Sequence, residues 1–399
     1  MSGVMIGIDP HKGSHTAFAL DANETKLGQV RVPAAVGQVD RLLQWSARWP
    51  ERSWAVEGAT GLGHLLAQQL LAAGERVLDV QPKLAARVRL LNTGQVNKND
   101  PNDARSVAIA ALRSPDVRTV RAEDQTAVIK IWARRHRDLS RARNRIACRL
   151  HAVLCELVPG GFGKEITAGQ ATAALADITP LGASAAARLE LAYELLDELR
   201  GVDEQRRVTK NRITRIVAAS QTSITDIYGV GPIIAATVLG HVGDIHRFPD
   251  RGRFAAYNGT APIDVSSGGN NVQRFSRRGN RQLNHAIYMA ALSQIRYPHT
   301  IGRGYYDRKI SEGMKPKCAL RALKRKISDT LYAHLINDAR RRAVQDPGGQ
   351  TGNDSASSAA SSHPETPALR TSHSRVTTKP TTVNPTRQHP EPKRSPHTT

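Results

Sequence analysis

The 399-residue chain has little cysteine, few aromatic residues and no long apolar run. Its three cysteines cannot form a disulfide framework, and no Cys-x-x-Cys pair suggests a structural zinc site. Aromatic residues make up only 4% of the chain, so we expect cores built from aliphatic and alanine side chains. No apolar run reaches the ~18 residues of a transmembrane helix, so we expect no membrane partner. A reducing compartment is the expected location.

Acidic residues are also scarce, since 35 Asp and Glu face 57 Lys and Arg, giving a net charge of +22. The excess is uneven: residues 1–125 hold 15 basic and 13 acidic side chains, whereas residues 126–345 hold 36 and 18. This balance argues against an ordinary acidic metabolic enzyme and favours a polyanionic partner such as DNA. We expect the chemistry in the N-terminal part and nucleic-acid binding in the rest.

Strand and helix patterns alternate over residues 1–125 and predict an α/β domain with a largely buried sheet. Residues 126–220 are predicted to form long basic helices that link the domains and oligomerise through a coiled coil, either antiparallel within the chain or between chains. Residues 221–343 are predicted to form a mostly α-helical domain. Proline, serine and threonine dominate residues 344–399, for which we expect a disordered tail.

Four acidic residues follow a pattern typical of a metal site. Asp9 and Glu57 end predicted strands, while Asp100 and Asp103 share one face of a predicted helix. Converging carboxylates repel one another unless divalent cations lie among them, and Mg²⁺, with Mn²⁺ as the alternative, suits an oxygen-only site. Taken singly, each acid also has a structural explanation, because Asp100 before Pro101 is suited to capping a helix.

Two histidines near the first acid, His11 and His15, have a four-residue spacing that is common in metal sites. They lie across a predicted turn and strand rather than on one helix face. We therefore expect neither to be a metal ligand, although His11 is close enough to Asp9 to touch a substrate.

A serine- and glycine-rich segment contains Ser266 and Ser267, and Arg274, Arg277 and Arg278 follow it. A serine hydroxyl beside glycines is a candidate nucleophile, and guanidinium groups would hold the oxygens of a phosphate. From spacing alone, a flexible loop is the favoured interpretation.

Basic residues are densest on the first long predicted helix, at a spacing that places several arginines on one face. A Gly-Val-Gly-Pro turn before an alanine-rich segment predicts a helix–hairpin–helix that contacts a nucleic-acid backbone. The residues predicted to bind nucleic acid are Arg134, Arg137, Arg141, Arg145, Gly229, Gly231, Arg274, Arg277, Arg278 and Lys324.

The acidic motifs together resemble the DEDD transposases of the insertion sequence 110 family. The resemblance is carried by Ile-Gly-Ile-Asp-Pro-His-Lys at 6–12, Ala-Val-Glu-Gly-Ala-Thr-Gly at 55–61 and Asp-Pro-Asn-Asp-Ala at 100–104. It implies a RuvC-like N-terminal domain with an RNase H-like fold, in which Asp9, Glu57, Asp100 and Asp103 bind metal. The serine-rich segment resembles the family's C-terminal transposase domain, where a serine before glycine is the nucleophile; Ser267 matches it and Ser266 is the near competitor.

By this resemblance, the chain is expected to be an insertion-sequence transposase that exchanges DNA strands through a phosphoserine intermediate. The implied partners are the DNA of the element ends and target, a structured guide RNA, and further copies of the chain in a dimer or tetramer. A DNA invertase of the same family is the nearest alternative. Ile6-Gly-Ile-Asp9 also opens actin-like ATPases and sugar kinases, and a non-catalytic DNA-binding regulator is a further alternative.

Overall fold

The computed structural model describes residues 3–91, 99–163, 166–267, 270–275 and 279–345. For residues 263–267, 270–275 and 345 it describes the backbone alone. The expectations for Arg277, Arg278 and residues 346–399 fall outside the described residues. None of the helices in the described part of the chain is long and apolar enough to cross a membrane.

A six-stranded sheet organises the N-terminal region, with the strand order β3-β2-β1-β4-β5-β6. Its first three strands form an antiparallel meander, β4 and β5 run parallel to β1, and the short β6 is antiparallel to β5. This order, with β2 reversed, is that of an RNase H-like domain, and it confirms the predicted fold class. The strands are β1 Val4–Pro10, β2 Ser14–Leu20, β3 Lys26–Pro33, β4 Arg52–Glu57, β5 Val77–Val80 and β6 Arg118–Thr119.

Helices cover both faces of this sheet, which explains why its central strands are apolar on both sides. On one face Ile6, Ile8 and Val56 pack into a core with Leu66 and Leu70. A second core, rich in alanine, lies on the other face and includes residues 104–111 of α4. The helices are α1 Gln38–Ser46, α2 His64–Ala72, α3 Pro82–Leu91 and α4 Asp100–Arg113.

Two long helices, α5 Gln125–Leu157 and α7 Ala183–Ala219, pack side by side, with the short α6 Ala168–Ala176 between them in sequence. The ion pairs Arg143–Asp203 and Arg188–Glu156, at 2.8 and 2.5 Å, show that α5 and α7 are antiparallel. Of the two predicted pairings, the structure therefore contains the one within the chain.

The C-terminal region is mostly helical, as predicted, and its last helix, α12, ends at Gln345. The first two residues of the predicted tail, 344 and 345, are therefore helical rather than disordered. Before the Gly-Val-Gly-Pro turn lies a 3-10 helix, Ser223–Asp226, not an α-helix. The remaining elements are α8 Pro232–Val242, a 3-10 helix at Ile245–Arg247, α9 Arg251–Asn258, β7 Pro262–Ser267, β8 Asn270–Phe275, α10 Arg281–Arg296, α11 Ile301–Ser311 and α12 Pro316–Gln345.

The long helices contribute to two cores. Near one end, Leu150, Leu154 and Leu196 pack with α6. Near the other, Ile129 and Ile213 join the C-terminal core formed by the helices from α8 onward. The predicted boundaries 1–125, 126–220 and 221–343 stay a prediction, since the described residues belong to one compact unit.

Candidate active site and nucleic-acid interface

The carboxyl ends of two adjacent parallel strands bring the first two acids together. Ile8 of β1 pairs with Val56 of β4, so Asp9 and Glu57 follow at the same level of the sheet. Asp9 is only 6% exposed, and its side chain is hydrogen-bonded to that of Glu57. A buried carboxylate of this kind is costly unless a partner offsets its charge.

Helix α4 brings the other two acids to this edge because it lies directly on β1. At Gly7 an added Cβ would lie 2.2 Å from the carbonyl oxygen of Ala104 and 2.5 Å from the amide nitrogen of Ala108. Only glycine leaves room for this crossing, and the alanines present a flat helix surface to the strand. The close approach sets the position of the first turn of α4, which carries Asp100 and Asp103.

The start of α4 is capped by Asn99, whose side-chain oxygen accepts a hydrogen bond from the amide of Asn102 at 2.9 Å. Asp100 is therefore not the cap that its position before Pro101 suggested. Its carboxylate is turned to the acidic site instead, where it acts on the pKa of Asp9.

Electrostatics confirm that the four acids share one environment. Burial raises the pKa of Asp9, and the neighbouring charges of Asp103 and Asp100 raise it further. Burial also raises the pKa of Glu57, together with the charges of Asp9 and Asp103. The structure thus gathers the predicted Asp9, Glu57, Asp100 and Asp103 at one edge of the sheet, where neighbouring carboxylates hinder the ionisation of Asp9 and Glu57.

His11 lies next to this group, close to Asp9 as expected, and its assignment as a non-ligand stays a prediction. Its Nδ1 lies 3.5 Å from Oδ2 of Asp9, and one potential ligand atom each from Asp9, His11 and Asp100 lies within 4.8 Å of the others. His15, in contrast, is buried away from the acids and its Nε2 is 2.9 Å from Oε1 of Gln38. The turn after β1 places the imidazole of His11 next to the carboxylate of Asp9.

Two arginines that sequence reasoning did not single out contact the acids. Arg89 of α3 forms an ion pair with Asp103, and Arg31 of β3 lies 3.5 Å from Asp100. No local motif links these arginines to the acids, because they come from other elements of the chain. Their guanidinium groups supply positive charge that partly offsets the repulsion among the carboxylates.

The donor set of this site fits a divalent cation. Carboxylate oxygens are the ligands preferred by Mg²⁺ and Mn²⁺, and a cation would remove the repulsion that raises the pKa of Asp9 and Glu57. The buried position of Asp9 is consistent with a charge held for binding rather than for stability.

The predicted nucleophile lies on a hairpin that connects α9 to α10. Ser267 is the last residue of β7 and pairs with Asn270 of β8, while the preceding Ser266 pairs with Asn271. Arg274 pairs with Ile263 in the same ladder. The choice between Ser267 and Ser266 as nucleophile stays a prediction.

The neck of this hairpin is tightly packed. An added Cβ at Gly279 would lie 2.7 Å from Cα of Gly259, and the amide of Asn280 donates to the carbonyl of Tyr257 at 2.6 Å. The hairpin therefore projects from α9 and α10, whereas the acidic site is built on the sheet. Glycine at both sides of the neck permits this approach.

The predicted basic face of α5 divides into two parts. Arg134, Arg141 and Arg145 are exposed to solvent, with Arg134 and Arg141 each 3.9 Å from Asp138. Arg137 is half-buried, and its Nε is buried without a hydrogen-bond partner among the described residues. The exposed arginines are available to a nucleic-acid backbone, and their role stays a prediction.

Two other predicted contacts have internal partners. An added Cβ at Gly229 would lie 2.8 Å from the carbonyl oxygen of Ala290, so packing against α10 already explains this glycine, whereas Gly231 has open space. Lys324 is half-buried and its Nζ donates to Oδ1 of Asn284 at 2.7 Å. Lys324 thus ties α12 to α10, and its contact with nucleic acid stays a prediction.

Family comparisons match both ends of this architecture. Residues 6–159 match the family described as DEDD transposase of IS110, and residues 221–307 match the family described as transposase of the IS116/IS110/IS902 family. The first match spans all four acids and the second spans the serine hairpin. Together they cover more than half of the chain.

Proteins of several insertion elements are similar to this chain over half of its length or more. An insertion element IS116 protein from Streptomyces clavuligerus is 27% identical, over 87% of this chain and 98% of its own length. An insertion element IS900 protein from Mycobacterium paratuberculosis is 28% identical over 84% and 96%. The transposase for insertion sequence element IS1111A from Coxiella burnetii is 29% identical over 50% and 56%. Among solved structures, Thermus thermophilus RuvC with a Holliday junction substrate is 18% identical over 30% of this chain and 99% of its own, with a TM-score of 0.25.

Proposed function

Because the chain belongs to the IS110 family of insertion-sequence transposases, we propose that it cleaves and exchanges DNA strands through a phosphoserine intermediate, with Mg²⁺ at the acidic site. The observation that carries this proposal is the convergence of Asp9, Glu57, Asp100 and Asp103 at one edge of the sheet. Family membership favours a recombinase over the actin-like ATPase or sugar kinase that the first strand also resembles.

The four acids, with His11 beside them, would hold the cation. Bound there, it would supply Lewis-acid stabilisation of the negative charge that develops on the phosphodiester. Asp9, buried under α4, fixes the position of the site, and the first turn of α4 places Asp100 and Asp103 across from it. Arg31 and Arg89 orient the carboxylates of these two residues.

The serine step is a transesterification. The hydroxyl oxygen of Ser267 forms a bond to phosphorus, its proton leaves to a base, and the bond from phosphorus to one deoxyribose oxygen breaks, that oxygen leaving with a proton. A hydroxyl of a second DNA strand then attacks the phosphoserine and releases the serine. One phosphoester bond is exchanged for another in each step, so no external energy source is needed.

The acidic site is built on the N-terminal sheet, whereas the serine hairpin connects two helices of the C-terminal region. This separation supports an oligomer in which the hairpin of one subunit meets the sheet of another. The exposed Arg134, Arg141 and Arg145 on α5 offer a basic surface for DNA and for a structured guide RNA.

Trapping of the covalent intermediate tests this function. Full-length protein is incubated with Mg²⁺, a DNA carrying the element ends and the RNA transcribed from them, and protein–DNA adducts are separated on a denaturing gel. We expect adducts from the wild type and from Ser266→Ala, and none from Ser267→Ala or Asp9→Asn. Adducts from Ser267→Ala would show that another residue is the nucleophile, and unchanged cleavage by Asp9→Asn would reject the acidic site.

A further inference from the structure

A second cluster of titratable side chains lies at the neck of the β7–β8 hairpin, outside the acidic site. His241 lies in the last turn of α8 and Tyr257 in α9. The Tyr257 hydroxyl donates to the carbonyl of His241 at 3.3 Å, and the side-chain amide of Asn280 lies 3.2 Å from both Nδ1 of His241 and the Tyr257 hydroxyl. The hairpin neck is thus joined to the end of α8 by polar contacts.

Arg247 lies against this cluster. Its guanidinium stacks 4.5 Å from the ring centres of Phe248 and Tyr257, and its Nη2 donates to the carbonyl of His241 at 3.3 Å. Its Nε is buried without a hydrogen-bond partner among the described residues. The guanidinium is therefore fixed in place and keeps an unused donor.

Helix α5 adds two more cations. It crosses α8 at Gly240, where an added Cβ would lie 2.7 Å from Cα of Lys130. Arg137, two turns further along, lies on the same face of α5 and also has a buried Nε without a partner. In the described part of the chain, no carboxylate pairs with Lys130, Arg137 or Arg247.

His241 supplies a further donor. Burial and the positive charges of Lys130, Arg137 and Arg247 lower its pKa to about 4, so the imidazole is neutral at pH 7. Because the amide of Asn280 donates to Nδ1, the ring proton lies on Nε2. Three cations and an imidazole N–H therefore meet with no acidic partner described among them.

We propose that Lys130, Arg137, Arg247 and His241 bind a phosphate group at the hairpin neck. Guanidinium groups match the geometry of phosphate oxygens, and a lysine adds a point charge. Given the proposed function, the phosphate belongs to the backbone of the bound nucleic acid. Each strand of the hairpin has six residues, so at ~3.3 Å per residue its serine tip lies about 20 Å from the neck. These are positioning residues that would hold the backbone several nucleotides from the attacked phosphate.

Binding of inorganic phosphate tests the site without nucleic acid. The melting temperature of the full chain is compared in phosphate and in chloride at equal ionic strength. We expect phosphate to raise that of the wild type and to have much less effect on Arg137→Gln and on Lys130→Gln, which changes an exposed side chain. The matched control is Arg207→Gln, which removes one charge from an exposed arginine paired with Glu204 on α7 and should respond like the wild type.

Nucleic-acid binding separates the two sources of phosphate. For DNA and RNA, the slope of log affinity against log salt should fall by about 1 in Arg137→Gln and in Lys130→Gln, but not in Arg207→Gln. Loss of the phosphate response with an unchanged slope would assign the site to a free phosphate compound. If neither measurement distinguishes the variants from the control, the proposal is wrong. The phosphate assay contains neither nucleic acid nor a catalytic metal, so a failure of the catalytic proposal leaves this test readable.

Discussion

The acidic site on the sheet and the cationic cluster at the hairpin neck concentrate charges of opposite sign within one chain. On the sheet, Asp9 and Glu57 are held among other carboxylates, and their pKa values rise. At the neck, His241 is held among cations, and its pKa falls. In each place like charges are forced together at a cost in stability.

This difference in the sign of the charge indicates which kind of ligand would stabilise each region. A carboxylate cluster gains most from a cation, and a cluster of donors gains most from an anion. A metal ion and a nucleic-acid backbone are the two ligands that a DNA strand-transferring enzyme must hold at once. In our proposals, the near-neutral N-terminal region holds the metal ion and the strongly basic remainder of the chain holds the nucleic-acid backbone.

The largest expected effect comes from removing the buried charge on the sheet. Asp9→Asn should reduce DNA cleavage by on the order of a thousandfold or more, since a group that stabilises charge at the reaction centre is lost. The same change should leave the melting temperature unchanged or raise it, because it removes a buried, repelled carboxylate. A large loss of stability in thermal melts would contradict the view that this charge is kept for function.

Overfilling the contact between α4 and β1 should affect fold and site together. Gly7→Ala places a methyl group against the backbone of Ala104 and Ala108, so we expect a loss of about 1 to 3 kcal/mol in unfolding free energy, or more. Metal-dependent cleavage should also fall, because Asp100 moves with α4. The control is Gly13→Ala, where the added Cβ meets open space. Equal behaviour of the two variants in denaturant titrations would show that the close crossing does not hold the site.

A serine contact in the C-terminal core tests whether the acidic site acts alone. Asp338 is 3% exposed and accepts hydrogen bonds from Thr222 and from the amide and hydroxyl of Ser223, which also lies 2.9 Å from Nδ1 of His334. Although this set resembles a hydrolase triad, Ser223 donates to the carboxylate directly. Asp338→Ala should cost about 2 to 4 kcal/mol in stability but preserve adduct formation per folded molecule. Loss of the adduct in folded Ser223→Ala would overturn this distinction.

The neck cluster predicts a pH dependence of stability. The pKa of His241 is lowered from 6.5 to about 4, by burial and then by Lys130, Arg137 and Arg247. As the pH falls from 6.5 towards 4, His241 takes up a proton in the unfolded chain but stays neutral in the folded chain. Protonation therefore favours the unfolded chain, and the unfolding free energy falls. The unfolding free energy of the wild type should therefore fall more steeply over this range than that of His241→Asn, measured by denaturant titration at each pH. Parallel curves would contradict the cationic environment.

The smallest effect is expected on the exposed face of α5. Arg145→Gln should weaken DNA and RNA binding a few-fold and lower the salt slope by about 1, without sequence preference. Filter binding at several salt concentrations measures both. An unchanged slope would show that Arg145 is not part of the nucleic-acid interface. The cationic cluster at the hairpin neck would then be the better-supported binding site.

Local pattern predicted the sheet strands, the long helices and the four acids, because apolar periodicity and strand ends depend on nearby residues. It missed Arg31 and Arg89, whose contacts with Asp100 and Asp103 depend on distant elements of the chain. It also did not predict that Gly229 packs on α10 or that Lys324 is hydrogen-bonded to Asn284. The predicted contacts of both residues with nucleic acid stay predictions. Spacing cannot tell which side of a helix another helix will cover.

The amino-acid sequence alone predicts a sheet whose strands end in acidic residues, a basic helical remainder and a segment in which serines lie beside glycines. Those properties are local, or are sums over the chain, and need no knowledge of which elements touch. The meeting of the acids beneath α4, and of the cations around His241, was decided by two close backbone crossings, at Gly7 and Gly240. Such crossings join residues far apart in sequence, so tertiary packing alone determines which charges become neighbours.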